Sequence, residues 1–393
     1  MNAKFYFIQA AKNMIKKTPQ KYLLLLFAIA VFSCSPKKHD SSDSQSNSDD
    51  TIEPADALIG NELLPNIHWV VIQSGSFTFG SAEDFSGCRA PIVEKQVPVT
   101  LTRSFLMAET EITQTQWENL SFANPSQIVG ANKPVTFINF YEAAAWCNKL
   151  SRIEGFETCY EFSSCTNAIG TGCGPEEEWP DEGCWNSEIN FNCNGDIHKY
   201  PDYYSCPGYR LPTTAEWEFA ARAGTTTHTY EGNIENYQPS YCFHEPTLEK
   251  IAWYCNNAND TIHPVKQKVS NAFGFYDILG NVFEWVDYFN DGQSLDFDTP
   301  DIPLVDPIGP KNGRTKTRRG GSFNKDGCYV NASWHSTAEP IMKMYDTGFR
   351  PVRTLFEDVS TDSTTDSAAD FATDSATDSA TDSATDSATD SSD

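Results

Sequence analysis

Six of the chain's twelve cysteines, Cys159, Cys165, Cys173, Cys184, Cys193 and Cys206, crowd into one stretch rich in Gly, Glu and Asn. The stretch shows little apolar periodicity, so it buries too little surface to hold itself, and covalent bridges must supply its order. Its spacings are irregular and no C-x-x-C occurs, which speaks against a zinc knot. Connectivity is not readable, since six cysteines allow fifteen pairings. Cysteine usage on this scale belongs to an oxidising compartment.

The amino-terminal residues fit that compartment. Residues 1–34 carry Lys4, Lys12, Lys16, Lys17 and Lys21, no acid, and an apolar run from Tyr22 to Phe32 followed by Ser33-Cys34. A basic region, a short apolar core and a small residue before the cut form a secretory signal. The run is too short to span a bilayer comfortably. Val31-Phe32-Ser33-Cys34 resembles a bacterial lipobox, which implies Cys34 as the lipid-bearing first residue of an anchored mature protein. Cleavage without a lipid, or an uncleaved anchor, would export the chain as well.

Neither flank is expected to fold. Residues 35–61 begin as Ser, Asp, Asn and Lys and read as a flexible tether, and 357–393 repeat Ser-Ala-Thr-Asp with an Asp every fourth residue. Single acids on a floppy chain do not preorganise a cation site, so the tail reads as solvated and self-repelling. The 54 acidic against 28 basic side chains leave a net charge of −26. That balance argues against nucleic acid, whose phosphates need clustered Lys and Arg.

The folding unit is therefore 62–356, read as one large domain with an insertion over 157–207. Strands are expected at 67–72, 75–80 and 105–110, where apolar residues run or alternate. Thr113 ahead of Gln116 marks a helix start, and Asn139 caps a helix with apolar positions 143, 146, 147 and 150. Thr213 with Glu216 forms a capping box, and Gly224 stands where a left-handed C-terminal residue belongs. Arg318-Arg319 are expected on a strand edge, paired with acids.

Several segments together resemble the formylglycine-generating enzyme, or sulfatase-modifying factor, family. They are Gly75-Ser76-Phe77-Thr78-Phe79-Gly80, Glu109 to Trp117, Tyr209 to Glu218 with its Arg-Leu-Pro-Thr, Asn271 to Asp277, Gly280-Asn281-Val282-Phe283-Glu284-Trp285, Arg319-Gly320-Gly321-Ser322-Phe323 and Gly348-Phe349-Arg350. The resemblance covers about 70–355. It implies an α+β, C-type-lectin-like fold with little regular secondary structure and a cysteine-rich insertion ahead of the Arg-Leu-Pro-Thr helix.

Active members of that family oxidise a substrate cysteine to formylglycine with oxygen and Cu(I) held between two cysteines after the Gly-Gly-Ser motif. Soft thiolates select Cu(I). Here Lys325 and Val330 stand at those positions, and the only nearby thiol, Cys328, is out of register. Copper is therefore doubtful, and catalysis is left to three weak candidates, Cys328, Ser322 and His335. With Cys34 assigned to a lipid, eleven cysteines remain, an odd number, and Cys328 is the candidate free thiol.

The resemblance also implies a structural calcium site at Asp277, Gly280, Val282 and Glu284, two hard carboxylates bracketing a turn whose carbonyls can point inward. A second calcium site near 251–260 departs from the family spacing. Trp334 and Arg350 are expected to line the family's substrate groove. No calcium-dependent sugar motif, Ser-His-Asp order or phosphate loop is present in the sequence. The expectation is an exported, lipid-anchored module of the bacterial cell envelope that binds a protein or peptide without copper chemistry. The alternative is a formylglycine-generating or related oxidase with an altered centre.

Overall fold

The computed structural model describes residues 65–81, 95–170, 188–235, 242–290 and 303–356. All lie in one compact unit, Ile59–Asp393. The signal segment with Cys34, the tether, the Asp-rich tail, Cys173 and Cys184 lie outside the described residues. Among those described, no helix is long and apolar enough to cross a membrane.

Three helices start where short-range capping chemistry places them. α1 (Gln114–Asn119), α2 (Phe140–Ile153) and α3 (Thr214–Arg222) each begin with a reciprocal capping box, Thr113/Gln116, Asn139/Glu142 and Thr213/Glu216. Each box satisfies two otherwise orphaned backbone donors, and a cap is worth about 1 kcal/mol. α3 ends one residue earlier than expected: Ala223 itself takes the left-handed conformation, with φ 46°, and Gly224 follows at φ 88°. A fourth helix, α4 (Pro246–Ile251), has Pro at its start, where the missing N–H costs nothing.

Thirteen short strands are described, in four sheets. β1 (Trp69–Ile72), β4 (Phe105–Ala108), β13 (Val352–Thr354) and β7 (Tyr209–Arg210) form one sheet in that order. β11 (His335–Ala338), β10 (Thr315–Arg319), β8 (Phe283–Asn290) and β12 (Thr347–Gly348) form another. β2 (Gly75–Phe79), β3 (Val97–Leu101) and β9 (Leu304–Val305) form a third, and β5 (Cys165–Thr166) pairs β6 (Asn192–Cys193). Every residue of β8, which lies between β10 and β12 in its sheet, is buried. Four tryptophans, Trp117, Trp146, Trp217 and Trp285, are wholly buried around these elements. The result is α+β, with few helices and much irregular chain.

One sequence expectation changes here. Arg318 and Arg319 lie on β10, an interior strand between β11 and β8, rather than on an edge. They pair with acids as expected, Arg319 with Glu218 and Arg318 with Asp346, and it is those partners that permit two guanidinium groups inside the core. The cysteine-rich stretch contains the bridges Cys159–Cys206 and Cys165–Cys193, and a third bridge joins Cys242 to Cys255.

Candidate functional site

The Gly-Gly-Ser turn leaves β10 with Gly320 and Gly321 at φ 92° and 77°. A Cβ on Gly321 would lie 2.6 Å from the Tyr329 carbonyl, so the turn needs glycine for both reasons. It buries Ser322, whose hydroxyl donates to Asn324 Oδ1 at 2.8 Å and lies 3.4 Å from Asp346 Oδ2. That carboxylate already faces Arg318 at 3.5 Å and Lys325 at 3.9 Å. Ser322 is thus held in a buried network whose carboxylate, Asp346, is shared with Arg318 and Lys325.

Neither copper position carries a soft ligand. Lys325 is an ammonium engaged with Asp346, and Val330 is fully buried in the core. Cys328 is disulfide-bonded, which corrects the expectation of a free and catalytic thiol there. Among the described residues the free cysteine is Cys147, buried on α2 with its thiol pushed up by burial and by Asp287. The residues present do not fit a Cu(I) centre.

His335 and Arg350 also change role. His335 is buried on β11 opposite Arg319, and burial together with that cation lowers it to about 3, so it is neutral and enclosed rather than poised as an acid or base. Arg350 does not line a groove: it is fully buried and holds Glu284 through Nε–Oε2 and Nη2–Oε1 hydrogen bonds, both 2.7 Å. Trp334 is half-buried, its ring 4.7 Å from that of Tyr329, which is 38% exposed. Next to the turn, Asn324 donates to the Tyr345 hydroxyl at 2.7 Å. The accessible face here therefore carries aromatics, an amide and Lys325.

The calcium set changes in part. Both Glu284 oxygens are occupied by Arg350, and Oε2 also accepts from Trp217 Nε1 at 2.8 Å. Asp277, in the left-handed region at φ 53°, accepts the Lys266 N–H through Oδ2 at 2.7 Å, while its buried Oδ1 has no hydrogen-bond partner. Glu111 is fully buried and neither of its oxygens has one. Burial and neighbouring acids push Glu111 well above the usual carboxylate range, and burial raises Asp277 to about 6. Hard, unpartnered oxygens thus sit at Asp277 and Glu111, not at Glu284. Among the described residues no three His, Cys, Asp or Glu side chains gather at metal-binding geometry, so further ligands would be carbonyls and water. Residues 251–260 hold a turn and the Cys242–Cys255 bridge, with Asn259 and Asp260 left-handed.

One charged cluster had no local sequence signal. His198, from the cysteine-rich stretch, places Nε2 2.7 Å from Asp287 Oδ2 on β8 and hydrogen-bonds Asp196 through Nδ1. Lys316 Nζ donates to Asp287 Oδ1 at 2.7 Å and the Tyr160 hydroxyl to Oδ2 at 3.0 Å. His198 also stacks on Tyr203 at 3.8 Å. These residues dock the cysteine-rich stretch on the core.

Residues 56–355 match the sulfatase-modifying factor enzyme 1-like domain, and the chain belongs to that family. It is 32% identical over 196 residues to the chaperone protein LppX of Paenibacillus barcinonensis, covering 48% of this chain and 62% of that one. It is 31% identical over 163 residues to the formylglycine-generating enzyme of Thermomonospora curvata, covering 38% and 50%. The chain thus spans less than two thirds of either relative. Treponema denticola variable protein 1 is similar in structure, with TM-score 0.52, 28% identity and coverage of 72% of this chain and 94% of that one. PvdO from Pseudomonas aeruginosa shares the fold at TM-score 0.50, 18% identity and coverage of 73% and 94%.

Proposed function

We propose that this chain is a lipid-anchored envelope protein, attached through Cys34, that uses the formylglycine-generating-enzyme scaffold to bind a protein or peptide and does not oxidise it. The observation that carries the reading is the chemistry at the copper positions: an ammonium paired with Asp346, a buried valine, and a neighbouring cysteine locked in a disulfide. An oxidase of this type needs two free thiolates. The exposed Tyr329 and half-buried Trp334 suit partner contact, because aromatic side chains supply large contact area at modest entropic cost. The similarity to a protein named as a chaperone supports a partner-binding role. The disulfides fit an exported chain.

Titration of the full chain with Cu(I) against a competing Cu(I) chelator tests the reading. No retention of copper is expected; stoichiometric retention that survives the chelator overturns it.

We propose in addition that a structural calcium ion is held at Asp277, with Glu111 supplying the second carboxylate in place of Glu284 and the carbonyls of Gly280 and Val282 completing it. The unpartnered Asp277 and Glu111 oxygens support this assignment. Bound there, calcium would neutralise buried acids and pin the loop; it would perform no chemistry.

A further inference from the structure

A cavity of about 280 Å³ opens beside the start of α1, between the segment preceding β1 and the loop carrying Val265 and Lys266. None of its lining residues belongs to the Gly-Gly-Ser turn or the Tyr329–Trp334 face. Its walls are tied by two backbone bonds, Glu109 N–H to the His68 carbonyl and Val265 N–H to the Asn132 carbonyl, both 2.9 Å, and by the Gln116 side chain, whose Nε2 donates to the Asn66 carbonyl at 2.8 Å. These bonds tie together the chain segments that border the cavity.

Half of the polar side chains lining it are uncommitted. Asn66, His68, Thr115, Asn119 and Asn132 make no side-chain hydrogen bond within the described residues, yet all border the cavity. These amide, hydroxyl and imidazole groups border the cavity as donors and acceptors that the fold does not use, and so are available to a ligand. The charges present, Glu109 and Lys266, form an ion pair with each other. An isolated anion or cation would find no unpaired counter-charge. Ile67 and Val265 give one apolar patch.

We propose that this cavity binds a neutral, polyhydroxylated ligand, a single sugar ring in size, without calcium. Hydroxyl groups that both donate and accept match the mixed amide and hydroxyl lining. Glu109 can accept from adjacent hydroxyls, and the Ile67–Val265 patch suits the C–H face of a ring. The volume of about 280 Å³ lies just below the usual range of ligand sites, which starts at about 300 Å³, and so admits only a small ligand. The proposal does not rest on the binding role of the Tyr329–Trp334 face.

Saturation-transfer difference NMR on the full chain tests it, using glucose, galactose, mannose and N-acetylglucosamine in turn, with glycine and glutamate as zwitterionic counter-probes. Transfer to at least one sugar, unchanged by EDTA, is expected. Thr115→Val and Asn132→Leu should each weaken it about tenfold while circular dichroism and melting stay the same. Transfer to no sugar, transfer to the amino acids alone, loss with EDTA, or transfer that survives both substitutions overturns the proposal. If either variant misfolds, Thr115→Trp, which fills the exposed rim, replaces it with the same expected loss.

Discussion

Arg350 and Glu284 share two hydrogen bonds of 2.7 Å where the chain passes from β12 of one sheet to β13 of another. The same guanidinium donates to the carbonyls of Ala108 and Glu109 at the end of β4 and to that of Tyr276. One buried cation therefore ties together the end of β4, the start of β8 and the loop at Tyr276.

Truncating it leaves Glu284 buried without its counter-charge. Arg350→Ala is expected to destabilise the domain by about 3–5 kcal/mol, the cost of breaking a buried pair from one side. Urea unfolding followed by tryptophan fluorescence measures this. A change below about 1 kcal/mol would show that the pair is not a structural tie.

The His198 cluster makes stability depend on pH. Burial works against its charge, but Asp287 and Asp196 outweigh burial and raise it above its ordinary 6.5. Asp287 is held low against its own burial by His198 and Lys316. Because the folded value is the higher one, the stabilisation is complete below about 6.5 and is lost as pH rises through the folded value. Tyr160 and Tyr203 also face the cluster, and burial raises both further, so neither titrates in this window. Stability difference curves of wild type against His198→Gln should converge as pH rises above neutrality; a constant gap contradicts the assignment.

His335 works in the opposite direction. Its folded value of about 3 lies below 6.5, so the unfolded chain takes the proton first and stability falls as pH drops from about 6.5 toward 3. His335→Phe should flatten that acid limb, measured by urea midpoints at successive pH values, even where packing costs lower the whole curve.

Thiol chemistry separates Cys147 from Cys328. Alkylation of the native, unreduced chain followed by peptide mass mapping should leave both unmodified; adding denaturant without reductant should label Cys147 alone of the two. Native labelling of Cys328 would restore it as a free thiol. Loop-closure entropy gives Cys159–Cys206, with a separation of 47, about 4 kcal/mol of stabilisation against about 3 for Cys242–Cys255, with a separation of 13.

Calcium should raise the melting temperature and EDTA lower it, with Asp277→Asn abolishing the response. A calcium response that persists in both Asp277→Asn and Glu111→Gln would place the ion elsewhere.

What was legible in the sequence was local. The capping boxes at Thr113, Asn139 and Thr213 lie within four residues, so their chemistry is visible in the chain itself. The lysine and valine at the copper positions were equally visible once the Gly-Gly-Ser motif was in register. Partnerships across long separations were not. Arg350 meets Glu284 from 66 residues away and His198 meets Asp287 from 89, and no periodicity connects them. Cys328 reads as an odd thiol because a bridge leaves no trace in spacing. Glu111 sits inside a quoted motif, but its unpartnered oxygens appear only when the surrounding loops are in place.

The most direct test of the central claim uses the full chain loaded with Cu(I), given oxygen and a peptide containing Cys-x-Pro-x-Arg, with mass spectrometry following the peptide. The account predicts that the peptide cysteine stays unconverted. Formylglycine appearing in the wild type and disappearing in Cys328→Ala would contradict it, and would mean that the bridged cysteine opens to form a one-thiol copper centre.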